Sequence, residues 1–124
     1  MKILLTGANG YIGKRLLPIL IEMKYEIVCC VRDINRFHTS TAIKSKVEVI
    51  EVDLLKEETL KNIPKDIDGA FYLIHSMSES NDYEKLEIKS ARNFCETLNS
   101  TQVKHVVYLS GIVNQEELSE HLLS

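Results

Sequence analysis

No apolar run in this chain approaches the roughly twenty residues of a membrane span, and the opening MKILL has neither the basic lead nor the cleavage site of a signal peptide. A membrane role is therefore not expected. Basic clusters are missing too: 15 Lys and Arg are scattered among 18 Asp and Glu, with a net charge of −3, which leaves little for a surface that tracks nucleic-acid phosphates. The three cysteines, Cys29, Cys30 and Cys95, form no C-x-x-C pair. Their odd number fits reduced thiols, and hence a cytosolic setting, better than a disulfide frame. His38, His105 and His121 show no metal spacing with those cysteines, so no metal site is expected. Repeats, low-complexity tracts and linkers are absent as well. What remains is a 124-residue chain, 44% hydrophobic, long enough for one core and one domain over residues 1–124.

Short aliphatic runs of strand length recur at Lys2 to Leu5, Glu26 to Val31, Val47 to Val52, Ala70 to Ile74 and Val103 to Leu109. Helices are expected between them: Tyr11 to Met23, a weaker one near Asn35 to Lys44, a short one near Lys56 to Asn62, and Tyr83 to Asn99. In the last, Ile88, Ala91, Phe94, Cys95 and Leu98 repeat at helical spacing and predict a buried face. Pro18 should kink the first helix without breaking it. Strands alternating with helices favour right-handed crossovers into a parallel sheet covered on both faces. Cys29 and Cys30, adjacent in a strand, should point to opposite faces as small core residues.

The first run ends in TGANGYIG, and three of the five glycines, Gly7, Gly10 and Gly13, stand there at the spacing G-x-x-G-x-x-G. They follow the first strand and open the first helix, the context of a dinucleotide-binding turn. Gly7 would permit the tight turn, Gly10 would let the backbone approach a pyrophosphate at the helix N-terminus, and Gly13 would let helix and strand pack closely. A Walker-type loop is excluded, since Gly13-Lys14 is followed by Arg15. The second strand ends in CCVRD. An arginine there accommodates the 2′-phosphate of NADP(H), whereas an acid holds the ribose hydroxyls of NAD(H). Arg32 at the strand end, with Arg36 as a second cation, favours NADP(H). Asp33 as the NAD-type acid is the alternative, and a solvated arginine pair is the bland one.

TGANGYIG, VRD and the VDL at Val52 to Leu54 resemble the atypical and extended branch of the short-chain dehydrogenase/reductase superfamily. YLIHSM, the RNF of the fourth helix and VVYLSG followed by LSEHL are similar, more narrowly, to a bacterial group of NAD(P)H-binding, NAD-dependent epimerase/dehydratase-like proteins. The resemblance implies a three-layer α/β/α Rossmann fold with a five-stranded parallel sheet. A switch point beside the first strand gives the order 3-2-1-4-5. It places Thr6, Gly7, Asn9, Gly10, Tyr11, Ile12 and Gly13 in the pyrophosphate turn and Arg32 at the adenosine phosphate. Asp53 and Leu54 would border the adenine, although Asp53 also reads as a plain helix cap. Ile74, His75 and Ser76 would pass the ribose and phosphates, with His75 either a donor or merely structural. Ser110 would stand on the nicotinamide side.

Hydride transfer in that superfamily relies on a Tyr-x-x-x-Lys pair. Tyr11, Tyr25, Tyr72, Tyr83 and Tyr108 are followed at that distance by Arg15, Cys29, Ser76, Glu87 and Ile112. Ser110, the candidate catalytic serine, precedes Gly111 and Ile112 where a serine run is usual. The expectation is an NADP(H)-binding domain of a reductase or epimerase-like protein whose catalytic part lies beyond this chain. The alternative is a non-catalytic dinucleotide sensor acting through a protein partner. A flavodoxin-like or receiver-type domain is disfavoured, since neither needs three glycines in its first loop. In the expected order the fifth strand is an edge with only Lys104 and His105 as polar guards, which predicts self-association through it or through the segment Ile112 to Ser124.

Overall fold

The computed structural model describes residues 1–73 and 81–108, with side chains in the second stretch from Lys85 onward. Five strands form one all-parallel sheet: β1 (Lys2–Thr6), β2 (Glu26–Val31), β3 (Glu48–Glu51), β4 (Gly69–Tyr72) and β5 (His105–Tyr108). Their spatial order is β3-β2-β1-β4-β5, as expected. The central strand β1 is aliphatic on both faces because both are covered, and Leu4 and Leu5 are fully buried on opposite sides.

Helices fill the two outer layers. α1 (Tyr11–Glu22) runs unbroken through Pro18, whose ring lies on the exposed side of the helix. It stops where Lys24 enters the left-handed region at φ 66°, and the N–H groups of Met23 and Lys24 turn back to the carbonyls of Ile19 and Ile21. Leu17 and Leu20 of α1 pack with Ile3, Leu5, Ile27, Cys29 and Phe37 on one face of the sheet. On the other face Leu4, Val28, Cys30 and Tyr72 pack against Phe94 and Leu98 of α4 (Asn81–Leu98) and Leu60 of α3 (Glu57–Leu60). The cysteine pair thus divides between the two faces, and burial pushes both thiols up to about 12.

The helix expected near Asn35 to Lys44 is instead two pieces, a single 3₁₀ turn at Ile34–Arg36 and the short α2 (Thr41–Lys44). Each has its own cap: Asp33 accepts from the N–H of Asn35, and Ser40 from that of Ile43. Phe37, only 2% exposed, leaves the helical path to enter the core. The apolar stripe of α4 is also narrower than its spacing predicts. Ala91, Phe94 and Leu98 face the sheet, whereas Ile88 is 59% exposed and Cys95 is exposed. The polar Asn93 takes buried space beside Phe94.

Tyr72 stacks on Tyr108 at 5.0 Å and 18° and tilts against Phe94 at 4.8 Å. Its buried hydroxyl has no partner among the described residues, and burial pushes it up to about 12. Across the far edge, Val106, Val107 and Tyr108 of β5 are exposed. No helix among the described residues is long and apolar enough to cross a membrane.

Candidate functional site

A cleft of about 670 Å³ opens over the C-terminal ends of β1, β2 and β3. This is the side where a parallel sheet with an order reversal beside β1 separates its crossovers and leaves room for a ligand. Its floor is the loop that follows β1. Gly7 turns the chain at φ 82°, a left-handed conformation that glycine adopts at no steric cost, and its carbonyl accepts from the N–H of Gly10 at 3.0 Å. Thr6, 1% exposed, holds the strand end by donating its hydroxyl to the carbonyl of Phe71 at 2.7 Å.

The later glycines serve different ends. A Cβ at Gly13 would stand 2.1 Å from the Gly7 carbonyl oxygen and 2.9 Å from the Ala8 Cα. The close approach at Gly13 is therefore to the turn's own backbone. A Cβ at Gly10 would meet a single atom, the Gly7 oxygen at 3.3 Å, a tight contact that a shift of a few tenths of an ångström would relieve. Gly10 is also the N-cap of α1, which means that no side chain caps this helix, and its first turn carries no acid. Neither the cap residue nor the first turn of α1 supplies an anion for its leading N–H groups and the positive end of its dipole.

The second wall is the end of β2 and the turn after it. Arg32 and Arg36 are exposed and line the cleft with Asp33. Asp33 is committed to its own turn: one oxygen accepts from Asn35 N at 2.9 Å, and the other lies 3.7 Å from Nε of Arg36. The turn is tied to its surroundings by Glu51, which accepts from Ile34 N at 3.2 Å. It is tied also by Asn9, whose Nδ2 donates to the carbonyl of Arg36 at 3.0 Å.

The third wall follows β3. Asp53 accepts from Leu55 N at 3.0 Å, and Thr59 packs its hydroxyl against the Asp53 backbone, accepting from its N–H and donating to its carbonyl. The N-cap of α3 is Lys56, so Asp53 closes a local turn ahead of the helix and is not its cap. Asn93 reaches from α4 to the Leu54 carbonyl at 2.6 Å, which sets the height of this wall.

Of the residues singled out in the sequence, Thr6, Gly7, Asn9, Arg32, Asp33, Arg36, Asp53 and Leu54 line this one cleft. Gly10, Tyr11, Ile12 and Gly13 stand just behind its floor, in the first turn of α1 and its cap. Tyr11 carries the Arg15 guanidinium over its ring at 3.5 Å. Ile74, His75, Ser76 and Ser110 lie outside the described residues. Sequence reasoning missed Lys56 and Ser90, which also border the cleft, and the supporting role of Asn93. For Asn93 the available signal was a polar residue within the buried stripe of α4.

A family described as NAD(P)H-binding matches residues 7–123 of the chain. The chain is 33% identical over 99 residues to the trichosetin synthetase PKS-NRPS1 of Gibberella fujikuroi, a match covering 73% of the chain and 2% of the synthetase. Among solved structures it is similar to UDP-N-acetylglucosamine 4-epimerase from Bacillus cereus, with a TM-score of 0.70 and 18% identity over 94% of the chain and 43% of the epimerase. It is similar also to the triphenylmethane reductase of Citrobacter sp. complexed with NADP(H), with a TM-score of 0.68 and 24% identity over 93% of the chain and 39% of the reductase. These likenesses show a Rossmann-type fold. The chain spans less than half the length of each protein it matches here.

Proposed function

The chain belongs to the NAD(P)H-binding family, and on that premise we propose that residues 1–124 form the NADP(H)-binding domain of a reductase- or epimerase-like oxidoreductase. The observation that carries this reading is the start of α1, where a glycine cap without a side chain and a first turn without an acid directly follow Thr6, Gly7, Ala8 and Asn9 of the cleft lining. A pyrophosphate fits such a terminus by charge and by hydrogen bonding. Thr6, Gly7, Asn9, Gly10, Tyr11, Ile12 and Gly13 would form the turn that holds it with backbone N–H groups, the Asn9 side chain being engaged by the Arg36 carbonyl.

Arg32 and Arg36 would take the adenosine 2′-phosphate, for which a guanidinium offers charge and paired donors. Asp33 commits one oxygen to Asn35 N in its own turn, and the two guanidiniums beside it favour a phosphate over the acid-held ribose of NAD(H). Asp53 and Leu54 would border the adenine. Following the family resemblance, Ile74, His75 and Ser76 would pass the ribose and phosphates, and Ser110 would stand at the nicotinamide. When bound, the nicotinamide supplies hydride exchange. The chain's own residues bind and orient it, and the substrate and the proton relay belong to the complete protein, in a cytosolic setting.

Calorimetric titration with NADPH, NADH and FMN tests the proposal. NADPH should bind most tightly. Preference for FMN, or no binding of any of the three, would overturn it.

A further inference from the structure

We propose that Asn9 is the positioning residue for the arginine turn, making recognition of the 2′-phosphate depend on the glycine loop through one hydrogen bond. The inference rests on the nucleotide reading above and deepens it. The turn Ile34–Arg36 is a three-residue 3₁₀ segment with no buried residue of its own, and isolated turns of this kind have poor hydrogen-bond geometry and little intrinsic persistence. Its guanidinium-bearing residue, Arg36, has a side chain 85% exposed whose ion pair with Asp33 spans 3.7 Å. An exposed pair at that distance holds little. The placement of Arg36 must come from the backbone that carries it.

That backbone is pinned at three places. At its start Glu51 of β3 accepts from Ile34 N at 3.2 Å. Just past its end Phe37 is buried in the core, with its N–H donating to the Ile34 carbonyl at 3.1 Å. At Arg36 itself the pin is Asn9 Nδ2, donating to the Arg36 carbonyl at 3.0 Å. Glu51 and Phe37 anchor the turn to the sheet and to the core. Among the described residues, Asn9 alone ties it by a side-chain hydrogen bond to the loop between Gly7 and Gly10. Asn9 is exposed, so burial does not explain its orientation, and the residue must be a donor because its partner is a carbonyl. The consequence is a ligand with two anionic groups gripped by two segments that are registered to each other through this amide.

The test uses the full 124-residue chain with two probes that differ only by the 2′-phosphate, adenosine 2′,5′-bisphosphate and AMP, titrated calorimetrically. Asn9→Ala should weaken the bisphosphate about 3- to 10-fold, the value of one neutral hydrogen bond, and change AMP less than about 2-fold. In an Arg36→Ala background the same substitution should add less than about 2-fold, because the group it positions is gone. Unchanged thermal unfolding of Asn9→Ala confirms that the fold is retained, as expected for an exposed side chain. An unchanged preference for the bisphosphate, equal losses for both probes, or a full additional loss in the Arg36→Ala background would each overturn the positioning role. Wild-type protein that binds both probes equally would overturn the 2′-phosphate site beneath it. Wild-type protein that binds neither would overturn the nucleotide reading itself.

Discussion

Asn93 of α4 donates its side-chain amide to the carbonyl of Leu54 at 2.6 Å, across 39 residues of sequence and with only 7% of its surface exposed. A helix on one face of the sheet thereby holds the loop that forms the third wall of the cleft. Asn93→Leu keeps the branched outline of the side chain, at a somewhat larger volume, and removes the donor, leaving a buried carbonyl without this partner. It should lower stability by about 1–3 kcal/mol, measured by urea unfolding. A variant as stable as the wild type would mean that the loop is held by Thr59 alone.

Arg32 follows β2 directly, at the rim of the cleft. Arg32→Ala should weaken NADPH by about 1–3 kcal/mol, the range for a charge-assisted hydrogen bond, and leave NADH nearly unchanged. Equal losses for the two dinucleotides would remove Arg32 from the 2′-phosphate site.

The glycines of the loop should separate binding from folding. At Gly10 a Cβ meets one atom, the Gly7 oxygen at 3.3 Å, which has to give by only a few tenths of an ångström, so Gly10→Val should abolish binding of either dinucleotide while the circular dichroism spectrum stays native. At Gly13 even one methyl group collides with the Gly7 carbonyl at 2.1 Å. Gly13→Ala should therefore depress the melting temperature as well as binding. A normally stable Gly13→Ala with intact affinity would show that the loop relaxes at no cost.

Burial holds the thiols of Cys29 and Cys30, and the Tyr72 hydroxyl, near 12. Each group ionises earlier in the unfolded chain than in the folded one. The unfolded state then binds fewer protons, and stability must fall as pH rises above the ordinary thiol range near 9. Thermal unfolding between pH 8 and 11 should show this decline, shallower in Cys30→Ala. In native protein at pH 8 a thiol reagent should label the exposed Cys95 alone, and all three cysteines in denaturant.

Val106, Val107 and Tyr108 of β5 are exposed on a strand whose pairing among the described residues is with β4 only. Such an edge recruits another chain. Light scattering should report a dimer that Val107→Lys disperses. A monomer at high protein concentration would defeat the expectation.

The sheet was legible because its central strands β1, β2 and β4 are apolar runs covered on both faces, and the glycine loop marked where its order reverses. The ends of β2 were legible too, whereas those of β4 were not. β4 begins at Gly69, a residue that ordinarily marks a break, because Ile3 fills the space its side chain would need at 3.1 Å. The split of the second helix was hidden for a related reason: only the core, by claiming Phe37, decides that the chain leaves the helical path. In the cleft, the residues of the loop and of the β2 end followed from motif spacing. The bonds that hold them in place, Asn9 to Arg36 and Asn93 to Leu54, join positions 27 and 39 apart. No local pattern in the chain encodes such a distance.

The place of β1 between β2 and β4 has a consequence for how the chain emerges during synthesis. Its first neighbour pairs Lys2 with Glu26 and can dock as soon as the hairpin of strand, helix and strand is complete. Its second pairs Ile3 with Gly69, so the opposite edge of the most apolar strand stays open until more than half of the 124 residues have been made. Closing that distance is the slow, entropically costly step. Until it happens the nascent chain offers an unpaired edge of Ile3, Leu4 and Leu5 to any other strand. Fragments ending before Gly69 should therefore aggregate, and ribosome-bound chains should become resistant to proteolysis abruptly, once β4 has cleared the exit tunnel.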